Sequence, residues 1–392
     1  MLSVIIVIIF AVFCVAFQKL TRQQWSSPSS IYIYWSCFLI IGGFFSYPEY
    51  NWKGPGLLWW LLSCFLFSLG TASTRNVKST SRVTTYPHFL PSISCKILLW
   101  AYFVVGLFYS ILMLRNNGFS IFSISSLSNL YDINTYMMQN RYGHEDLHES
   151  VIQQLCLSFT YGLPICTGYY LSKKSFKECK YICSFCLVPN LLITSLNNTK
   201  SGTIFAVMLF VTGYLIGYID TNSHQPKITR KTIRLVSLLG IAFLAVMILA
   251  IFLRHNNDTA RTASGLIVQI FIDYLFGGTL NFDYYFDTVY NTKLVHDYLE
   301  GSNIITANFY WIEHYTYIGA LAVWFIRGCV CGILYQRLRK KNLGVFGKVI
   351  LAYMYINAMY FFIWVPFIYT TVTIGVFILF PFFLMKLQHS KV

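Results

Sequence analysis

Residues 2–17 read LSVIIVIIFAVFCVAF, an apolar run close to the roughly 20 residues that a helix needs to cross a bilayer. Further apolar runs follow along the whole chain, near 31–47, 55–70, 97–114, 151–171, 181–196, 202–219, 235–253, 314–333, 349–365 and 366–384. Hydrophobic residues make up 56% of the chain, above the roughly 45 to 50% of a soluble domain. We therefore predict an all-α polytopic integral membrane protein, a single membrane domain over residues 1–392 with about 11 transmembrane helices.

Linkers rich in lysine and arginine alternate with linkers that are poor in them, and this pattern predicts the orientation of the chain. Most of the 29 basic residues lie near 19–22, 75–96, 173–180, 227–234, 337–348 and 386–391. Because inner loops retain positive charge, we predict an outer N-terminus and an inner C-terminus. The net charge of +15 therefore indicates topology. Since that charge is spread over short linkers, we expect no nucleic-acid partner.

The 11 cysteines lie in or at the ends of the apolar runs, except Cys179 in an inner linker. We expect no disulfides, because no cysteine lies in an outer loop. Cys179, Cys183 and Cys186 are close in sequence but lack a second pair of ligands, so the pattern favours small apolar side chains over a metal site. Neither a metal nor another cofactor is predicted.

Two predicted outer segments are long enough to have structure of their own, 115–150 and 254–313. The first contains Arg115 and Arg141, and a shorter outer segment at 197–202 contains Lys200. These cations are candidates for binding an anionic substrate. Residues 144–149 read HEDLHE, and such side chains can bind metal ions. A solvated polar loop is the alternative, and the sequence favours it.

The second outer segment begins Arg254-His255-Asn256-Asn257-Asp258-Thr259-Ala260-Arg261. In a helix Arg254 and Arg261 would lie on one face, two turns apart. Two guanidinium groups so placed could bind a diphosphate, while anchoring to lipid headgroups is the alternative. His255 and His314 stand at the two ends of this segment, the latter beside Glu313, and are candidate general bases.

Within the second segment, residues 264–276 are mostly apolar and carry Asp273, which predicts an interfacial helix that Gly277-Gly278 ends. The run Asn281-Phe282-Asp283-Tyr284-Tyr285-Phe286-Asp287 follows. Aromatic rings stack on sugar rings while amides and carboxylates bind hydroxyls. Candidate substrate-binding residues are therefore Asp273, Asn281, Asp283 and Tyr284. Aromatic side chains in contact with membrane lipids at the interface are the alternative interpretation.

With this arrangement the chain resembles the Wzy-type O-antigen polymerases, in architecture along its whole length and in one local motif. The family has an arginine, ten residues and then a glycine in its large outer loops, and Arg254 and Gly265 have that spacing. The first outer segment departs from the motif. Eleven residues after Arg115 stands Ser126, and eleven after Arg141 stands Ile152.

The resemblance implies a glycosyltransferase of the bacterial inner membrane, with its N-terminus in the periplasm and its C-terminus in the cytoplasm. Such an enzyme joins undecaprenyl-diphosphate-linked oligosaccharide repeat units in lipopolysaccharide biosynthesis, and a chain-length-regulating co-polymerase is an expected partner. Arg254, Arg261 and Arg115 would stabilise the departing diphosphate. His255, His314 or a loop carboxylate would take the proton of the acceptor hydroxyl. The chain has no nucleotide-binding motif, and an activated lipid donor needs none.

Two other functions would use a similar membrane architecture. A transporter or flippase of lipid-linked glycans is expected to have an internal repeat and charged or broken helices near the midplane. We find no repeat in the sequence, and the apolar runs are nearly free of charge apart from Arg327. An O-antigen ligase uses the same donor, and the sequence separates it poorly from a polymerase.

Overall fold

A computed structural model describes residues 2–75, 94–142, 150–174, 176–197, 200–223, 260–288, 306–363 and 365–389 of the chain. Almost all of these residues are helical, and no strand occurs among them. The protein is therefore an all-α polytopic membrane protein, which confirms the predicted fold class.

The helices follow one another with few intervening residues. They are α1 (Leu2–Leu20), α2 (Pro28–Ser46), α3 (Pro55–Ser73), α4 (Cys95–Asn116), α5 (Leu127–Tyr142), α6 (Val151–Lys173), α7 (Phe176–Phe185), α8 (Val188–Asn197), α9 (Lys200–Asn222), α10 (Ala260–Tyr284), α11 (Ala307–Arg339), α12 (Val345–Tyr360), α13 (Thr370–Ile374) and α14 (Phe380–His389). Short 3-10 turns cover Ile121–Ser125, Phe286–Thr288 and Pro366–Ile368. A π-helical turn, Gly375–Leu379, joins α13 to α14.

Local sequence explains where several helices begin. α2 and α3 each start with a proline, whose missing N–H costs no helical hydrogen bond in the first turn. The Ser27 side chain accepts a hydrogen bond from the Ser30 amide and caps α2. Ser150 and Gln153 form a reciprocal capping box at the start of α6.

Eight segments of the described chain are long and apolar enough to cross a membrane. They are Leu2–Leu20, Pro28–Ser46, Pro55–Ser73, Cys95–Asn116, Glu178–Leu196, Gly202–Asn222, Ala307–Arg339 and Thr370–Leu387. Of the other predicted spans, 151–171 lies within α6, 349–365 overlaps the shorter apolar helix α12, and 235–253 lies outside the described residues. The total of about 11 spans therefore stays a prediction.

The chain divides into two compact units. The first contains residues 1–83, 222–225 and 268–366, and the second contains residues 84–221, 226–267 and 367–392. The membrane domain that the sequence predicts as one therefore contains two compact units.

In the first unit, glycines let α3 and α11 approach until their backbones touch. A Cβ added to Gly70 would lie 2.3 Å from the carbonyl oxygen of Phe325, and one added to Gly328 would lie 2.1 Å from that of Phe67. Small residues at such contacts are typical of helix pairs in membranes.

The second unit uses the same kind of contact between α6 and α9. A Cβ added to Gly168 would lie 2.0 Å from the carbonyl oxygen of Phe210, and one added to Gly213 would lie 2.0 Å from that of Ile165. Each helix thus presents a glycine to the backbone of the other.

α11 reverses its direction at Thr316, whose backbone angles (φ 63°, ψ 173°) are not helical. In a continuous helix, residues 311 and 327 would lie about 24 Å apart along the axis. The Arg327 guanidinium nevertheless lies 4.6 Å from the centre of the Trp311 ring. Residues 307–315, which we call the half-helix, therefore run back along residues 317–339. The start of the half-helix, residues 306–309, is fully buried.

The predicted boundary of the helix at 264–276 is wrong, because α10 continues through Gly277 and Gly278 to Tyr284. Both glycines are buried, and α10 packs closely on α2 beside them: a Cβ added to Gly43 would lie 2.6 Å from Oγ1 of Thr279. Such packing outweighs the helix penalty of about 1 kcal/mol for each glycine. The half-helix likewise corrects the prediction of an outer loop that extends to residue 313.

Candidate functional site

The candidate site lies in the first unit, where three segments predicted to be outside meet. Asp283, near the end of α10, accepts hydrogen bonds from the backbone amides of Lys53 (2.7 Å) and Gly54 (2.8 Å), which precede α3. The Tyr317 hydroxyl, beside the reversal of α11, donates to the carbonyl of Phe286. These bonds join the linker before α3, the end of α10 and the reversal of α11.

Asp283 has a different role from the substrate contact that the sequence predicts. Its side chain is buried, with 0% exposure, and it accepts the amides at the start of α3, where the N-cap residue Gly54 offers no side-chain acceptor. Burial raises the pKa of the Asp283 carboxyl, and the two amide hydrogen bonds and the Lys53 charge partly offset this rise. Asp283 thus positions the linker and does not face a sugar.

Only part of the aromatic surface predicted at 281–287 is exposed. Asn281 and Phe282 are buried, which corrects the prediction of Asn281 as a surface contact with substrate. Tyr284 is 50% exposed. The Lys53 ammonium lies 4.9 Å from the centre of the Tyr284 ring and donates to the Tyr284 carbonyl. Tyr284 and Lys53 therefore form an exposed pair at the site.

Asp273 ties α10 to the end of α2. Its carboxylate accepts hydrogen bonds from the Tyr47 hydroxyl at 2.7 Å and from the Gln269 side-chain amide at 2.9 Å. The predicted substrate contact at Asp273 stays a prediction, and the hydrogen bonds give this carboxylate a structural partner on α2.

His314 lies at the exposed end of the half-helix. Its ring nitrogen Nδ1 lies 2.8 Å from the Tyr310 carbonyl oxygen, and its side chain is 47% exposed. A carbonyl oxygen can only accept, so Nδ1 carries the hydrogen and Nε2 keeps a lone pair. The Glu313 carboxylate lies 3.9 Å from Nδ1. The imidazole can thus accept a proton at Nε2, as a general base requires.

An apolar groove of about 710 Å³ lies between α1 and α3, and Phe286 closes one end of it. Its lining is Ile6, Ile9, Phe10, Phe13, Pro55, Leu58, Trp59, Leu62 and Phe286. Pro55 follows the linker that carries Lys53, so the groove reaches the exposed pair of Lys53 and Tyr284. Its shape and apolar lining suit a hydrocarbon chain.

Arg327 is the functional candidate to which the sequence assigned no role. It lies near the middle of residues 317–339 and is only 7% exposed. Its guanidinium carbon lies 4.6 Å from the ring centre of Trp311, 4.9 Å from that of Trp324 and 5.2 Å from that of Tyr353. The available signal was its place in an apolar run, because charged residues inside membranes commonly mark functional sites.

Several buried donors near Arg327 have no acceptor in the described part of the chain. They are Nη1 and Nη2 of Arg327, the indole nitrogens of Trp311 and Trp324, and Nδ2 of Asn308. The Asn308 oxygen accepts from the Tyr32 hydroxyl at 3.5 Å, and the Tyr32 ring stacks on Trp324 at 4.7 Å. The start of the half-helix and the surroundings of Arg327 therefore share one aromatic cluster.

The remaining predicted site residues are only partly covered by the structure. Arg254 and His255 lie outside the described residues, as do residues 144–149. Arg115 is exposed in the last turn of α4, in the second unit. Only the backbone is described for Arg141 in α5, Lys200 in α9 and Arg261 in α10. Among the described residues, no group of three or more histidine, cysteine, aspartate or glutamate side chains could hold a metal ion.

Comparisons of the chain with protein-family models, with curated proteins and with solved structures find no match.

Proposed function

We propose that this protein is a glycosyltransferase of the O-antigen polymerase type, which joins undecaprenyl-diphosphate-linked repeat units at the periplasmic face of the bacterial inner membrane. The observation that carries the proposal is His314, an exposed imidazole with Nε2 available and a carboxylate beside it. The resemblance to the Wzy-type polymerases supplies the substrate class.

The reaction has one bond formed and one bond broken at the donor sugar. A hydroxyl oxygen of the acceptor bonds to the anomeric carbon of the donor, and the bond from that carbon to the diphosphate breaks. Nε2 of His314 takes the hydroxyl proton, and the Glu313 carboxylate stabilises the imidazolium that forms. Undecaprenyl diphosphate leaves with the negative charge.

The surroundings of His314 in the first unit suit a lipid-linked donor. The apolar groove between α1 and α3 would take part of the prenyl chain, and Lys53 would attract the diphosphate at its end. From the sequence, Arg254 and Arg261 are the residues that would hold the diphosphate as charge builds on it. Tyr284, exposed beside Lys53, would stack on a sugar ring.

The test is the surface-polysaccharide ladder of a strain that lacks the gene, complemented with variants at matched membrane expression. A polymerase predicts that the null strain makes core plus a single repeat unit and that the wild type restores the ladder. His314→Gln removes the base while it keeps a polar side chain, and we expect activity to fall by about 10²- to 10⁴-fold. Arg254→Lys keeps the charge but loses the planar fork, so we expect severe impairment.

Ile318→Ala is the matched control, because Ile318 is 81% exposed next to the same reversal and carries no chemistry. It should restore a full ladder. A full ladder with His314→Gln would remove His314 as the base. If the null strain loses even the single repeat, the polymerase proposal fails, and an earlier step, a flippase or a ligase is indicated.

A second candidate, transport of a lipid-linked glycan, is favoured by the reversal at Thr316 and by the buried Arg327. Broken helices and charges near the midplane are typical of transporters. Protein reconstituted in liposomes with a fluorescent lipid-linked glycan distinguishes the two functions. A flippase moves the label between leaflets without acceptor, whereas a polymerase lengthens the glycan and leaves its leaflet unchanged.

A further inference from the structure

Arg327 is held under conditions that folding alone does not favour. A buried guanidinium with no hydrogen-bond acceptor loses the hydration of a full charge, and removing this cost requires an anionic or polar partner. Attraction to the rings of Trp311, Trp324 and Tyr353 returns about 2 kcal/mol at a desolvated site, less than the several kcal/mol that burial costs each ion. The described residues leave Nη1 and Nη2 without an acceptor.

The other unpaired groups in this cluster are donors as well. The indole N–H groups of Trp311 and Trp324 and the amide N–H of Asn308 are all buried without an acceptor among the described residues. A mixed set of donors and acceptors would suit water or a sugar hydroxyl. A set made only of donors suits a group with several acceptor oxygens and a negative charge.

The half-helix adds a further positive contribution. Its N-terminal residues Thr306, Ala307 and Asn308 are buried, and no side chain caps its first turn. The N-terminus of a helix carries a partial positive charge, and buried half-helix ends of this kind bind anionic groups in membrane proteins. Asn308, at this end, is linked to Trp324 through Tyr32.

We propose that Arg327, Trp311, Trp324 and Asn308 form an anion site inside the first unit that binds a phosphate-type oxyanion. The planar guanidinium fork matches two phosphate oxygens, and the indole and amide donors supply the remaining hydrogen bonds. The anion is either the phosphate of a lipid or a free phosphate. The site is separate from His314, and it does not depend on the proposed glycosyl transfer.

The test uses the full-length protein in phosphatidylcholine nanodiscs, with thermal unfolding followed by tryptophan fluorescence. The two probes are inorganic pyrophosphate and undecaprenyl phosphate. We expect the unfolding midpoint of the wild type to rise with at least one probe, because a ligand that binds the folded state stabilises it. A rise with pyrophosphate indicates a free anion, and a rise with undecaprenyl phosphate alone indicates a lipid.

Arg327→Met should remove this rise while the ligand-free protein unfolds at the wild-type temperature or above it, because an unpaired buried charge is removed. Arg337→Met, which changes an arginine in the last turn of the same helix, should keep the rise. Trp311→Phe keeps a ring beside Arg327 but loses one donor, so we expect binding about tenfold weaker with little change in stability.

Three results would overturn the proposal. The first is a wild type whose midpoint neither probe raises. The second is a rise that persists in both Arg327→Met and Trp311→Phe. The third is a ligand-free Arg327→Met protein that unfolds well below the wild type, since Arg327 would then be held by its aromatic contacts as a structural cation.

Discussion

Both units bury a cation, but under opposite conditions. In the second unit, Lys173 donates to the Asp220 carboxylate at 2.7 Å, and the Tyr169 hydroxyl donates to the same oxygen at 2.8 Å. In the first unit, Arg327 is surrounded by aromatic rings, and its Nη atoms have no acceptor among the described residues. The pair in the second unit is complete as it stands, so it stabilises the fold. The arginine in the first unit is incomplete, which indicates a ligand.

The largest effect is expected when the complete pair is made incomplete. Asp220→Ala leaves the largely buried Lys173 without its partner, and we expect a loss of about 3–5 kcal/mol in the free energy of unfolding. Unfolding in detergent, followed by tryptophan fluorescence, measures this change. The double variant Lys173→Met with Asp220→Leu should recover most of it. Wild-type stability in Asp220→Ala would remove the contrast between the two units.

A smaller and similar effect is expected in both units at their glycine contacts. Gly328→Ala and Gly168→Ala each place a Cβ within about 2 Å of a backbone oxygen on the facing helix, and overpacking of this kind costs about 1–3 kcal/mol. The same unfolding measurement applies. Gly202→Ala is the control, because nothing lies within 4 Å of a Cβ there. An unchanged stability in one glycine variant would restrict the close helix contact to the other unit.

The smallest effect is expected at Asp283. Asp283→Asn keeps one acceptor oxygen but leaves one of the two amides at Lys53 and Gly54 unpaired, which costs about 1–2 kcal/mol. The pH dependence adds a check of its sign. The pKa of Asp283 is raised in the folded state, so the folded protein binds this proton more tightly than the unfolded chain. Its contribution to stability is therefore greatest below the unfolded carboxyl pKa and decreases as the pH rises through the folded one.

Asp283→Asn should abolish that part of the slope in plots of unfolding free energy against pH. An unchanged slope in the variant would show that the carboxyl of Asp283 does not titrate in this range.

Much of the fold could be predicted from the sequence, because an apolar run of sufficient length has few alternatives to a helix in a membrane. The spans at 2–17, 55–70 and 97–114 each lie within one described helix. The end of α10 could not be predicted. Glycines usually end a helix, and only the contact of α10 with α2, distant in the sequence, keeps the helix intact through Gly277 and Gly278.

The candidate site could be predicted only where residue type was enough. His314 and Tyr284 are exposed in the first unit, as candidates of their chemistry should be. The burial of Asp283 depends on a partner linker that is distant in the sequence. Arg327 was visible as a charge in an apolar run, but its surroundings depend on the reversal at Thr316. No residue pattern announces that reversal, since apolar residues stand on both sides of it.

The reversal at Thr316 also determines how membrane crossings should be counted. A straight helix of 33 residues would be about 50 Å long, well beyond the roughly 30 Å of a hydrocarbon layer. Because the chain turns back, the half-helix enters and leaves by the same side and contributes no crossing. The parity of the topology then rests on residues 317–339 alone, and every later helix takes its orientation from that one passage.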